Sequence, residues 1–382
     1  YNERDKTDSK TFVQKYLGHF LKGAPYSSIA FEYDFYRQNI DGIQLSEVNA
    51  LTKKYITESN QDVIILGPEK DKEILPNKAT VDNWISSVKQ ATIKPYIDQV
   101  SDQPLIATKP KSGTIVAEQQ DKELGTTQLT LSNGLKVVLK PTDFKNDAIN
   151  FNGFCAGGSS LYSDADFQSA NNADDLVNQS GLGDFNAIAL DKYLVGKQVY
   201  VSTSILERSE RITGFCIPKN IETALQLVHL YFTKPRKDVE IFEGYIAKQK
   251  SSLANYGNAP NSVFADSIAA VLSKYNPRRT GPSIQKVEQI NLDRAYQIYK
   301  ERFASAKNFT FTFVGKFDIE EIKPLIALYL GSLPSIDRND EARDLGIIPP
   351  DGKIKKTVYK GQEPKASVRL LFTGDYVYNP AN

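Results

Sequence analysis

FNGFCAGGSSLYSDADFQSANNADDLVNQSGLGDF, running from Phe151 to Phe185, is the stretch that decides the fold of this 382-residue chain. It opens as a strand, turns at Gly157, Gly158 and Ser159, and continues as a helix predicted over 168–178. Asn171, Asp174 and Asp175 stand at i, i+3 and i+4 of that helix, so one helical face is expected to carry all three. Ser169 can cap the helix, and the two aspartates favour its first turns electrostatically.

The surrounding sequence extends the unit in both directions. LTLSNGLKVVLK, from Leu129 to Lys140, reads as two strands joined through Asn133-Gly134, a strong hairpin signal. Further strands are predicted near Ile149–Ala156, Gln198–Ser204, Arg211–Ile217 and Phe309–Val314. Helices are expected near Asn186–Leu194 and over 220–233, 238–255, 261–273, 292–303 and 318–330. The fold class is therefore α+β: a mixed, mostly antiparallel sheet with helices packed on one face.

Upstream, Phe12, Val13, Tyr16, Leu17, Phe20 and Leu21 form the apolar stripe of a helix over 7–22. Helices near Ile29–Tyr36, Leu45–Ile56 and Val81–Gln90 follow, with a strand expected at Asp62–Gly67. The segments 43–67 and 290–315 read alike: a helix, a polar turn, then an apolar strand ending in Gly. Ile43 answers to Ile290 and Gly67 to Gly315, offsets of 247 (290 minus 43) and 248 (315 minus 67). A period that long points to duplicated whole domains rather than a solenoid. The expected division is 1–70 as the end of one domain, 71–125 as a polar linker, 126–345 as a complete domain, and 346–382 as the first strands of another.

Bulk composition narrows the function. A net charge of +1 gives no electrostatic reason for a nucleic-acid partner. No apolar run reaches the roughly 20 residues that a transmembrane segment needs. Tyr1 leads straight into charged residues, without the apolar core of a signal peptide. The two cysteines, Cys155 and Cys216, lie in apolar strand-like runs and read as buried free thiols. His19 and His229 sit in apolar helical stretches and read as structural.

Four segments together resemble the pitrilysin/insulinase zinc peptidases, which include the mitochondrial processing peptidases: SNGLKVVLKPTDFKND, AGGSSLYSDADFQSANNADDLVNQSGLG, ETALQLVHLYFTKPRKD and ERFASAKNFTFTFVGKFD. The likeness spans nearly the whole chain and is to the second half of a long bacterial-type member. It implies metallohydrolase-like repeat domains, arranged as two halves that close around a peptide. In the catalytic half, His-x-x-Glu-His supplies two zinc ligands and the acid that activates a water, and a Glu roughly 75 residues on completes the site. Carried over, the first His falls on Asn171, the Glu on Asp174, the second His on Asp175 and the distal Glu near Ser252, with Ser251 adjacent.

The resemblance thus implies a segment with no catalytic residue and no metal ligand of its own, and with zinc held in the upstream half of the parent protein. Its implied partners are a peptide or unfolded protein substrate and that upstream half, with an edge strand on which an extended peptide can add to the sheet. The alternative is a peptide-binding or assembly module without peptidase activity, like the core subunits related to processing peptidases. Compartment stays open between a bacterial envelope or periplasm and the cytoplasm.

Other motifs yield less. Asp164, Asp166, Asn171, Asp174 and Asp175 lack the Gly and Glu that an EF-hand loop requires at its sixth and twelfth positions. Gly157-Gly158 has no Lys at phosphate-loop spacing and reads as a tight turn. Arg278-Arg279 reads equally as a contact to substrate or partner half and as a solvated loop. Lys234-Pro235-Arg236-Lys237 reads as a basic turn between helices.

Overall fold

The structure, a computed structural model, describes residues 1–380 except 58, 60, 68, 95–102, 339–340, 375–376 and 378. It divides into two compact units, Tyr1–Gln99 and Val100–Asn382.

The first unit carries α1 (Ser9–Lys22), α2 (Ile29–Asn39), α3 (Leu45–Tyr55) and α4 (Lys78–Gln90). Local capping starts each helix. The Asp8 carboxylate accepts from Thr11 N, the Ser28 hydroxyl from Phe31 N and the Asn77 carboxamide from Thr80 N. Glu47 reaches back to the Gln44 amide at 2.8 Å. Tertiary burial is missing: none of these helices holds a buried residue, and Phe20 is 84% exposed.

The strand expected at Asp62–Gly67 does not form. Its residues join no ladder among the described residues, and Leu66 is 89% exposed. A strand requires a neighbour to take its backbone groups, and no described segment supplies one. Only the helical half of the repeat is therefore reproduced: α3 begins and ends 247 residues before the helix at Leu292–Arg302 (292 minus 45, 302 minus 55).

The second unit is built on one sheet. Its elements run β1 (Ile115–Asp121), β2 (Thr126–Leu131), β3 (Lys136–Pro141), β4 (Ile149–Ala156), α5 (Phe167–Ala170), α6 (Ala173–Gln179), α7 (Ala187–Leu194), β5 (Val199–Ile205) and β6 (Ser209–Cys216). Then follow α8 (Ile221–Thr233), α9 (Val239–Leu253), α10 (Pro260–Leu272), α11 (Ile284–Glu288), α12 (Leu292–Arg302), β7 (Thr310–Gly315) and α13 (Ile319–Tyr329). The strand order is β1-β2-β3-β7-β4-β6-β5, parallel only between β3 and β7.

Alternation explains why one face is covered. Along β4 the buried residues are Ile149, Phe151, Gly153 and Cys155, while Asn150, Asn152 and Phe154 face outward. Phe311 and Phe313 of the central β7 are fully buried, and Phe313 stacks on Phe151 at 5.0 Å between centroids. Gly153 makes room for them: a Cβ there would lie 2.7 Å from the Phe311 ring. Helices α8, α12 and α13 close the core through Leu225, Val228, Ile298, Tyr299, Ile322 and Ile326. Each large apolar side chain so removed from water contributes about 2–3 kcal/mol.

The hairpin turns at Gly134, whose φ of 87° lies in the left-handed region that glycine enters without strain. Asn133 beside it donates to the Leu330 and Leu333 carbonyls (2.8 and 3.2 Å), tying the hairpin to the end of α13.

Two expectations about organisation change. The stretch 71–125 is not wholly a linker: β1 pairs with β2 along Ile115–Asp121 and Leu105 joins the core. Part of that stretch, 95–102, lies outside the described residues. The two strands expected after Lys356 form no ladder among the described residues, and Tyr359 and Phe372 are 92% and 93% exposed. As at 62–67, their apolar pattern lacks a neighbouring strand.

Candidate functional site

The glycine turn after β4 is held by a buried polar cluster. Gly158 has φ 80°, and a Cβ there would run into the Leu206 and Glu207 carbonyl oxygens. Its N–H donates to Glu210 Oε1 at 2.7 Å. Glu210 on β6 is fully buried, 3.5 Å from the Arg302 guanidinium of α12. Burial raises the Glu210 carboxyl, against the Gly158 amide and Arg302, which favour its charged form. Arg302 Nε donates to the Tyr162 hydroxyl at 3.0 Å, and that hydroxyl donates to Glu301 at 2.8 Å.

Arg278 clamps the same turn from the other side. It is buried, donates to the Tyr162 and Ser159 carbonyls (2.6 and 3.2 Å) and to Asp164 (2.6 Å), and lies 4.8 Å from the Phe167 ring centroid. It is neither a solvated loop residue nor placed on a surface. Arg279 pairs with Glu207 at 2.6 Å, and Arg236 donates to the Ser180 and Gly183 carbonyls. Asp166 is paired with Arg294 at 2.9 Å, so the first two acids of the EF-hand-like series already have cationic partners.

The motif helix itself is broken. In place of one helix over 168–178, α5 ends at Ala170 and α6 starts at Ala173, with Asn172 at φ −122°, ψ 4° between them. Asn171, the cap residue of α5, is exposed and does not share a continuous helical face with Asp174 and Asp175. Two consecutive asparagines, poor helix formers that favour caps and turns, account for the break.

On α6, Asp174 is half-buried and its carboxyl is pushed up to about 7, first by burial and then by the neighbouring Asp175. Backbone amides, that of Ile205 among them, pull it back. Tyr245 of α9 donates to Asn172 at 2.6 Å and approaches Asp175 at 3.4 Å. Burial and Asp175 raise that phenol to about 12. Ser251 and Ser252, also on α9, are exposed, and the Ser252 hydroxyl donates back to the Gln249 carbonyl.

This donor set does not fit a zinc ion. It offers no imidazole, its carboxylates are committed to Tyr245 and to backbone amides, and one of them is held partly protonated. Among the described residues no group of three His, Cys, Asp or Glu side chains is placed to hold a metal. His19 bonds the Ala24 carbonyl at 2.7 Å, and His229 is buried on the Tyr329 carbonyl at 3.0 Å, its pKa lowered by burial. Cys155 and Cys216 are buried free thiols, and burial pushes Cys216 up to about 12.

One of the sheet's two edges, at β5, already has partners. β5 is an edge strand, yet Asn178 of α6 donates to the Thr203 carbonyl (2.9 Å) and accepts from its N–H (3.2 Å), and Tyr231 of α8 donates to the Val201 carbonyl (3.2 Å). None of Asn178, Glu210, Tyr231 and Tyr245 stands out in the sequence, since each acts across 25 to 73 residues. An open cleft of about 520 Å³ among α9, α10 and α11, lined by Leu253, Tyr256, Val263, Asp266, Tyr275 and Ile284, was likewise invisible.

Comparison with known proteins agrees with this fold. Residues 289–382 match the family described as the Peptidase M16 inactive domain. A zinc protease PQQL-like protein of Arabidopsis thaliana is 26% identical over 381 residues, covering 97% of this chain and 37% of its own length. A probable zinc protease PqqL of Haemophilus influenzae is 19% identical, covering 91% and 37%. The chain therefore spans little more than a third of these relatives. Among solved structures, the periplasmic protease PqqL of Escherichia coli superposes with a TM-score of 0.57 at 18% identity, covering 91% of this chain and 38% of that one. The ferredoxin protease FusC, crystallised with Arabidopsis ferredoxin, gives 0.54 at 15%, covering 88% and 38%. No described helix is long and apolar enough to cross a membrane. By these matches the chain resembles zinc proteases of the PqqL type along nearly its whole length, shares the fold of the solved PqqL structure, and matches the inactive domain of the M16 peptidases over residues 289–382.

Proposed function

We propose that this chain is the non-catalytic part of a zinc-dependent endopeptidase, enclosing a peptide or unfolded protein for a zinc site carried by an upstream half of the same protein. The observation that carries the reading is chemical: on a sheet and helix framework shared with zinc proteases, the motif positions hold Asn171, Asp174, Asp175 and Ser252. Without an imidazole pair there is no metal-bound water for Asp174 to deprotonate.

The domain division supports the same reading. Val48, Leu51 and Ile56, which correspond at the 247-residue offset to the buried Ala295, Ile298 and Phe303, are all exposed. Residues 1–70 accordingly form the end of a preceding homologous domain whose sheet would cover α3 and pair with Asp62–Gly67, and 346–382 begin a following one.

The test is hydrolysis of an unstructured fluorogenic peptide. Cleavage is expected from a protein that joins this chain to an upstream half bearing His-x-x-Glu-His, and a chelator should abolish it. Chelator-resistant cleavage by the 382-residue chain alone would overturn the reading. A parent protein lacking that motif would favour the assembly-module alternative.

A further inference from the structure

The outer edge of β5 has a definite polarity. Leu206 N–H donates to Ser209 O at 2.8 Å and Ile217 N–H to Gln198 O at 3.1 Å, so the even-numbered residues of β5 face β6. In an antiparallel ladder the alternate residues then direct their backbone groups outward. These are Val199, Val201, Thr203 and Ile205. An added peptide strand would have to bond this row.

The middle of the row is taken by the side chains of Asn178 and Tyr231, and the Ile205 amide at its end by Asp174. The Asn178 carboxamide presents one donor and one acceptor to Thr203, at 2.9 and 3.2 Å, the same pair that a peptide residue would present. The Thr203 hydroxyl also donates to Asn178 Oδ1 at 3.2 Å. One outward residue along, the Tyr231 hydroxyl fills the Val201 carbonyl at 3.2 Å. Asn178 sits on α6, which packs directly on β5, and Tyr231 is buried. The opposite edge, β1, is guarded differently, by Glu118, Asp121 and an irregular register after Ile115.

We propose that β5 is a strand-addition site closed from within: Asn178 and Tyr231 stand in for the backbone of an extended peptide, which enters only when they are removed. The inference stands on the geometry of this edge and does not depend on the peptidase reading. It places any peptide contact made by the wild-type domain away from β5.

The test uses the 382-residue chain, its Asn178→Ala and Tyr231→Phe variants, and the double variant. The probe is a fluorescein-labelled, lysine-flanked peptide of about ten alternating Thr and Val residues. A second copy, N-methylated at alternate residues, cannot form a ladder. Fluorescence anisotropy reports binding, and amide exchange reports the Thr203 N–H.

The wild type should show no saturable binding and a protected Thr203 amide. The double variant should bind the plain peptide at least about tenfold more tightly, reject the N-methylated copy, and regain Thr203 protection with peptide. If the double variant does not fold, Tyr231→Phe and Asn178→Asp carry the test, each expected to bind more tightly than wild type. The proposal is overturned if wild type binds as tightly as a folded variant. It is equally overturned if a folded variant exchanges its Thr203 amide freely and still takes no peptide.

Discussion

Arg302 and Glu210 face each other at 3.5 Å beneath the glycine turn, both almost wholly out of water. The pair joins α12 to β6, and through the Gly158 amide it fixes the turn that leads from β4 to the motif helix. Breaking a buried pair from one side strands the remaining charge. Glu210→Gln, which keeps an acceptor for Gly158, should cost about 3 kcal/mol or more in urea unfolding. Adding Arg302→Met should recover part of that loss. A Glu210→Gln variant as stable as wild type would show that the pair does not organise the turn.

Asp174 gives the fold a pH dependence of definite sign. Its carboxyl, raised to about 7 in the folded chain from the ordinary aspartate range, faces Asp175, Tyr245 and Tyr299. The folded state holds the proton over a range where the unfolded state has released it, so stability falls as pH rises from about 4 to 7 and the loss is complete above 7. Asp174→Asn should flatten that slope, making the variant more stable than wild type at pH 8 and comparable at pH 4. Parallel melting-temperature profiles for the two proteins would refute the assignment.

Arg278 should behave as a clamp rather than a surface residue. Arg278→Ala removes the donors to two carbonyls and to Asp164, leaving the Tyr162 carbonyl to Arg343 alone and the Ser159 carbonyl to the Tyr162 amide alone. Amide exchange across 157–166 should speed up while that of β7 stays slow. Unchanged exchange in the turn would contradict the clamp.

The thiols provide a check on the core. Cys155 and Cys216 are buried, with Cys216 pushed up to about 12, and thiolate is the reactive form. Thiol titration of the native chain should find neither, and titration in guanidinium should find both. Fast native reaction of either would mean that β4 or β6 is not packed as described.

Six of the sheet's seven strands were legible in the sequence because each carries its own signal. Phe309–Val314 alternates Phe with Thr, Asn133-Gly134 supplies the hairpin turn, and Ile149–Ala156 opens with two apolar-polar pairs before its Gly-rich turn. The same signals misled at Asp62–Gly67 and beyond Lys356, because alternation and apolarity describe a strand's faces and not whether a neighbour exists to bond it. β1 was missed for the opposite reason: the polar IVAEQQD suits an exposed edge and looks like linker.

At the site, the sequence identified Asn171, Asp174, Asp175 and Ser252 as the positions of interest. It could not show the break at Asn171-Asn172 or the engagement of α6 with β5. Both depend on partners such as Tyr245 and Thr203, distant in sequence and carrying no spacing signal. Arg278 illustrates the same limit: a basic pair in NPRRTGP looks solvated until Asp164 and the turn carbonyls are placed around it.

The central claim is that this region holds no zinc of its own, and metal content tests it most directly. The 382-residue chain would be incubated with zinc, desalted and analysed for metal and protein together. The account predicts well under about 0.1 zinc per chain, since Asn, Asp, Asp and Ser supply none of the imidazole ligands of a peptidase site. About one zinc per chain, lost on replacing Asp174 and Asp175 with alanine, would contradict it.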